Sequence, residues 1–158
     1  MLFASVTQSK ESTILSIDIL EYGMFDSTII KKQVAENTSA GVSNLIKDFK
    51  LIKQTTDIPG KLGNQFGLKF AAKGIAAKAK IKLSVKLIHP MTVNPETKKE
   101  VTEEQWTAYA KVAGEGCSGC TGWTFDYPWE IVPGKWIFQL WYEDNKLAEK
   151  TFTIHLEK

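Results

Sequence analysis

Not one of the 158 residues is arginine; all 20 basic side chains are lysine. Arginine makes the planar, two-pronged contacts that read phosphates and guanine edges, whereas lysine is a mobile point charge. This absence argues against specific recognition of nucleic acid. Cysteine and histidine are scarce, with two of each. A structural zinc site takes four such ligands, so Cys117, Cys120, His89 and His155 would all have to converge from three distant segments. No stretch approaches the ~20 apolar residues of a membrane-spanning helix. No nucleophile-elbow serine, phosphate loop or dinucleotide fingerprint is found. The sequence therefore gives no catalytic residue and no cofactor, and a non-enzymatic role is expected.

The rest of the composition is that of a globular domain. Net charge is +2 and 43% of residues are hydrophobic. A chain of this length is most simply one domain, large enough to bury its core without staples. Residues 1–11 read as a flexible polar tail and 12–158 as the domain. The start, "MLFASVTQSKE", has too short an apolar run for a signal core and no basic residue before it. A trimmed signal and a plain leader both fit. A periplasmic or secreted setting is expected, with the cytoplasm as the alternative.

Period-two alternation dominates, and it marks half-buried strands. "TILSIDILEY" puts Leu15, Ile17 and Ile19 on one face, and extended structure continues through "GMFDSTIIKKQVAEN". "LIKDFKLIKQT" is a second strand, and "DIPGKLG" reads as a loop. "NQFGLKFAAKG" aligns Phe66, Leu68, Phe70 and Ala72. "AAKAKIKLSVKLIHP" aligns Ala79, Ile81, Leu83, Val85 and Leu87. With Gly74 between them, these two strands are expected to form a hairpin. Residues 95–105 suit a short helix with Pro95 in its first turn. "EQWTAYAKV" aligns Trp106, Ala108, Ala110 and Val112. "WIFQLWY" and "LAEKTFTIHLE", joined by "EDNK", make the strongest hairpin, with Trp136, Phe138, Leu140 and Tyr142 facing Phe152, Ile154 and Leu156. About seven or eight short strands without a long helix predict an all-β, immunoglobulin-like antiparallel β-sandwich.

The run "FDYPWEIVPGKWIFQLWYEDNKLAEKTFTI" resembles the end of a bacterial family known as domain of unknown function 3859. "IDILEYGMF", "IPGKLGNQFGLKF" and "IHPMTVNPETKKE" agree with it upstream, and the likeness runs from about Ile17 to the C-terminus. The resemblance implies a β-sandwich. It brings no activity and no catalytic residues, and "CSGC" stands outside its pattern.

Three groups of side chains are candidates for function. In "GEGCSGCTGW" the pair Cys117 and Cys120 has the spacing of a redox centre, half a metal site or a small staple. No helix follows to lower a thiol pKa through its dipole. The plainer reading is a short disulfide in an exported protein, or two free thiols in a cytosolic one. Lys78, Lys80, Lys82 and Lys86 share a strand face, joined by Lys69 and Lys73 if the hairpin forms. Such a stripe suits an anionic glycan or lipid surface, or an acidic protein; it equally suits a guarded sheet edge. Trp141, Gln139 and His155 should point outward, where a tryptophan can stack on a sugar ring, although packing explains most tryptophans. Glu103 and Glu104, and Asp126 and Glu130 around Trp129, are not placed in any shared cleft by the sequence alone. "NTS" at 37–39 matches a glycosylation sequon. The expected function is a binding module, with a redox or metal protein and a structural assembly subunit as alternatives. Oligomeric state is left open.

Overall fold

The structure, a computed structural model, describes residues 15–34, 38, 42–74, 80–111 and 117–156, without the side chains at 15, 28–34, 42–47 and 80. The tail over 1–11, Lys78, Ala79, Val112 and most of the sequon lie outside the described residues. Among the described residues nine strands run in order: β1 Leu15–Val34, β2 Val42–Gln54, β3 Asp57–Gly60, β4 Gln65–Gly74, β5 Lys80–Val93, β6 Glu100–Lys111, β7 Gly119–Thr124, β8 Gly134–Tyr142 and β9 Asn145–Leu156. One sheet has the order β2-β1-β4-β7 and the other β3-β9-β8-β5-β6.

The alternating residues close a single core between the sheets. Phe66, Phe70, Leu83, Val85, Leu87, Trp136, Phe138 and Phe152 are all fully buried. Each such side chain contributes roughly 1.5–3 kcal/mol by leaving water. Phe66 stands at the centre, edge-on to Trp136, Phe138 and Phe152. The indole N–H of Trp136 donates to the Val132 carbonyl at 2.9 Å, so the core tryptophan carries no unpaired donor.

Four details depart from the expectation. "DIPG" is not loop but β3, paired in parallel with Thr153–Leu156 of β9. This makes the ninth strand and the sheet's one parallel pair among the described residues. Pro59 has no N–H to give, and β3 is an edge strand, where proline is tolerated. Second, β4 and β5 are not a hairpin. β4 pairs with β1 and β7, and β5 with β6 and β8, in opposite sheets. A sandwich satisfies both alternations, because either sheet presents its apolar face to the same core. Third, residues 95–105 form a turn and a strand, not a helix. Asn94 Oδ1 accepts the Glu96 N–H at 2.9 Å, and the Lys98 N–H donates to the Asn94 carbonyl at 2.8 Å. Lys98 turns left-handed at φ 64°, and β6 starts opposite Val93. Fourth, Leu156 is exposed, because β9 there runs past the first residue of β8, Gly134, which pairs with Ile154.

The outer face of the four-stranded sheet carries a row of glycines. Gly23 lies opposite Gly67, and Gly67 opposite Gly122. A Cβ on Gly67 would sit 2.1 Å from the Thr121 carbonyl oxygen, and one on Gly122 would meet the Phe49 ring at 3.1 Å. Phe49 stacks on Phe25 with ring centroids 4.0 Å apart. Both rings are buried although they lie outside the main core.

Candidate functional site

The outer face of the five-stranded sheet assembles the aromatic and part of the basic set. In register, Lys86 of β5 lies between Gln105 of β6 and Gln139 of β8, and Ser84 lies between Thr107 and Trp141. Lys86 Nζ sits over the Trp141 ring, 4.4 Å from its centroid. The Trp141 indole N–H donates to Gln139 Oε1 at 3.0 Å, which fixes the ring across the strand. Gln139 Nε2 donates to Glu149 Oε1 at 3.1 Å, and Lys146 Nζ donates to the same oxygen at 2.7 Å. The Lys146 hydrogen bond holds the Glu149 carboxyl below the usual range, with a smaller contribution from Gln139. Lys82 is exposed opposite Tyr109, itself 60% exposed. Among the described residues no carboxylate pairs with Lys82 or Lys86. The result is a ring, an amide and two unneutralised ammonium groups on one sheet face.

The other predicted residues are dispersed. Lys69 and Lys73 lie on the four-stranded sheet, where Glu21 and Asp18 of β1 meet them at 3.6 Å and 3.2 Å. The single stripe is thus two separate sets. β5 has partners on both sides, so its lysines do not guard an edge. The Lys80 side chain lies outside the described residues, as does Lys78. His155 shares the outer face with Trp141 but pairs with Asp57 of β3 at 3.1 Å. It stands nine residues along β9 from Lys146, the partner of Trp141, about 30 Å at the rise of a strand. Trp141, Gln139 and His155 are therefore not one patch.

The cysteines are free: Cys117 is exposed, and Cys120 is half-buried within β7, opposite Lys69. Burial pushes the Cys120 thiol up, Cys117 adds to this, and Lys69 opposes it. That environment disfavours a reactive thiolate. Among the described residues no three His, Cys, Asp or Glu side chains gather as a metal ion requires. Cys120 lies on one sheet, with Cys117 just ahead of its strand, and His89 and His155 lie on the other, each with a carboxylate partner.

A cluster that the sequence did not assign sits inside the sandwich. His89 and Glu104 are both buried, with Nε2 and Oε2 2.7 Å apart. His89 Nδ1 lies 2.6 Å from the Pro90 carbonyl oxygen. A carbonyl only accepts, so Nδ1 carries a proton and donates. One further proton must then lie between Nε2 and Oε2. The imidazole stacks on Trp136, centroids 4.4 Å apart. Glu130, 2% exposed, ends the 3-10 turn Pro128–Glu130. Its Oε1 accepts the backbone N–H groups of Asp126 and Tyr127 at 2.9 Å and 3.0 Å. Burial pushes its carboxyl up to about 7, with Asp126 and Glu104 adding to the rise against the two N–H groups. Parity held a signal for the first pair. His89 continues the inward set after Leu87, and Glu104 continues the inward set of Trp106, Ala108 and Ala110. No alternation marks Glu130, which lies in a turn.

Two packed sheets of this order define an immunoglobulin-like β-sandwich. A solved immunoglobulin-like protein from Pseudomonas aeruginosa shares the fold, with a TM-score of 0.63 and 24% identity, covering 92% of this chain and 100% of that one. The chain belongs to the domain of unknown function 3859 family, whose model matches residues 14–154. An alkylpurine DNA glycosylase from Pseudomonas fluorescens, bound to DNA containing an abasic site analog, matches at a TM-score of 0.41 and 14% identity, over 63% of this chain and 28% of that one. That likeness is too slight to bear on this chain. No curated protein matches it. No helix among the described residues is long and apolar enough to cross a membrane.

Proposed function

We propose that this domain is a binding module of the bacterial envelope or secreted compartment that takes an anionic glycan on the outer face of its five-stranded sheet. The observation that carries this reading is the Lys86–Trp141–Gln139 arrangement with Lys82 beside it. A tryptophan ring held across a strand offers a stacking surface to a sugar ring. Unneutralised lysines beside it attract a carboxylate or phosphate on that sugar. The Trp141 ring, already held by Gln139, gives up little freedom on binding.

The test is retention of the purified domain on immobilised polyuronate and on lipopolysaccharide, with dextran as the neutral control. Wild type should be held by the anionic matrices and released by salt. Trp141→Ala combined with Lys86→Ala should elute with the dextran control while keeping its thermal midpoint. Equal retention of variant and wild type rejects this face as the site. Retention on phosphatidylglycerol vesicles alone would move the ligand from glycan to lipid. Cell fractionation checks the compartment: a purely cytosolic pool overturns that part.

A further inference from the structure

The two sheets are tied together along β6 and β7 by hydroxyl residues that each follow a cysteine. Ser118 comes after Cys117, and Thr121 after Cys120. Ser118 uses all three of its polar groups. Its N–H donates to the Phe70 carbonyl oxygen at 2.8 Å, and its carbonyl oxygen accepts the Lys111 N–H at 3.1 Å. Its Oγ accepts the Ala72 N–H at 2.8 Å. Phe70 and Ala72 belong to β4 in one sheet and Lys111 to β6 in the other, so this residue joins the sheets. Thr121 Oγ1 accepts the indole N–H of Trp106 of β6 at 2.9 Å, a second tie across the same seam.

The two sulfurs bracket that seam. Cys117 folds back over the chain, and its thiol donates to the Gly119 carbonyl oxygen at 3.3 Å, beside the peptide that leads into Cys120. Cys117 is exposed and Cys120 half-buried. Burial holds the Cys120 thiol up, and Cys117 is close enough to add to the rise. Cys117 is therefore the first of the two to react.

We propose that Cys117 and Cys120 form a reversible disulfide site, oxidised by a small-molecule disulfide, whose closure tightens the Ser118 seam between the two sheets. This does not rest on the proposed glycan face and stands or falls apart from it. The Cys117 thiolate attacks one sulfur of the small disulfide, breaks its S–S bond and expels one thiolate. The Cys120 thiolate then attacks the Cys117 sulfur and expels the other. The expelled thiolates take up the two protons that the cysteines lose, so two protein thiols and one small disulfide become one protein disulfide and two small thiols. The closed ring spans Ser118 and restricts the backbone that holds its three hydrogen bonds in place.

The full chain is incubated at pH 8 with oxidised and then with reduced glutathione, and its intact mass is measured. The oxidised chain should be lighter by two hydrogens and carry no glutathione, and reduced glutathione should restore the mass. A lasting glutathione adduct, a disulfide-linked dimer or an unchanged mass overturns the site. Hydrogen exchange at the Ala72, Lys111 and Ser118 amides reads the seam. Their protection should rise about tenfold on oxidation while the Phe138 amide is unaffected. Equal or lower protection in the oxidised chain overturns the tightening. The Cys117→Ser, Cys120→Ser double variant should show no rise under the same treatment; a rise there would overturn the proposal as well.

Discussion

The outer faces of the two sheets start from similar sequence and end differently. Both β4 and β5 alternate lysine with apolar residues. On the four-stranded sheet Lys69 and Lys73 are met by Glu21 and Asp18 of the neighbouring β1. Beside them Phe25 and Phe49 are buried against glycine-bearing strands. On the five-stranded sheet Lys82 and Lys86 lie between Tyr109, Gln105 and Gln139, with Trp141 beneath one ammonium group. The first face has neutralised its charge and covered its aromatics. The second has kept charge, amide and ring accessible together. A lysine count cannot separate them; the strand that lies alongside does.

The sharpest way to break this comparison is to fill the covered face. A methyl at Gly67 lands on the Thr121 carbonyl oxygen of the adjacent strand, and backbone cannot step aside as a flexible side chain does. Gly67→Ala should cost about 3 kcal/mol, seen as a lower urea midpoint. Ser84→Ala, at a half-buried position on the open face, should cost less than about 1 kcal/mol. Equal midpoints for the two variants would mean that the glycine row is not what holds the covered face together.

Charge tests the comparison next. Lys82→Ser with Lys86→Ser should cut retention on polyuronate about tenfold at low salt, since nothing else neutralises that surface. Lys69→Ser with Lys73→Ser removes the same formal charge and should change retention by less than about twofold. If the two double variants behave alike, binding follows net charge and not the open face. The thermal midpoints of both should stay close to wild type, because exposed ion pairs contribute about 0–1 kcal/mol each.

The fold was legible because alternation is a property of each strand by itself. Phe66, Leu68 and Phe70, or Trp136, Phe138 and Leu140, announce a buried face whichever sheet they join. Partner choice is not local: alternation alone suggests a β4–β5 hairpin and a single lysine stripe, whereas the two strands join opposite sheets. The position of His155 was missed for a related reason. Parity gives the face correctly but not the distance along it. The short β3 was hidden because Pro59 marks a loop unless an edge position is available to it. The His89–Glu104 pair was within reach, since both residues continue inward-facing sets. Polar residues at inward positions call for a partner, and extending the two sets would have supplied it. Glu130 was beyond reach, because a turn residue's burial depends on which strands close over it.

The smallest expected effect lies at the boundary between charge and cover. Cys120 points away from the core on β7, directly across from Lys69. Burial and the neighbouring Cys117 push its thiol up, and the Lys69 ammonium pulls it down. Iodoacetamide at pH 8 should therefore label the exposed Cys117 ahead of Cys120. Lys69→Ala should slow Cys120 further, by about two- to threefold, because a thiolate loses its nearby cation. Glu21→Gln should act in the opposite direction, since Lys69 then has no carboxylate partner at 3.6 Å and its charge is felt more fully by the sulfur. If Lys69→Ala leaves the Cys120 rate unchanged, the ion pair with Glu21 has already spent the lysine's field. The covered face would then be electrically closed, in contrast to the open face across the sandwich.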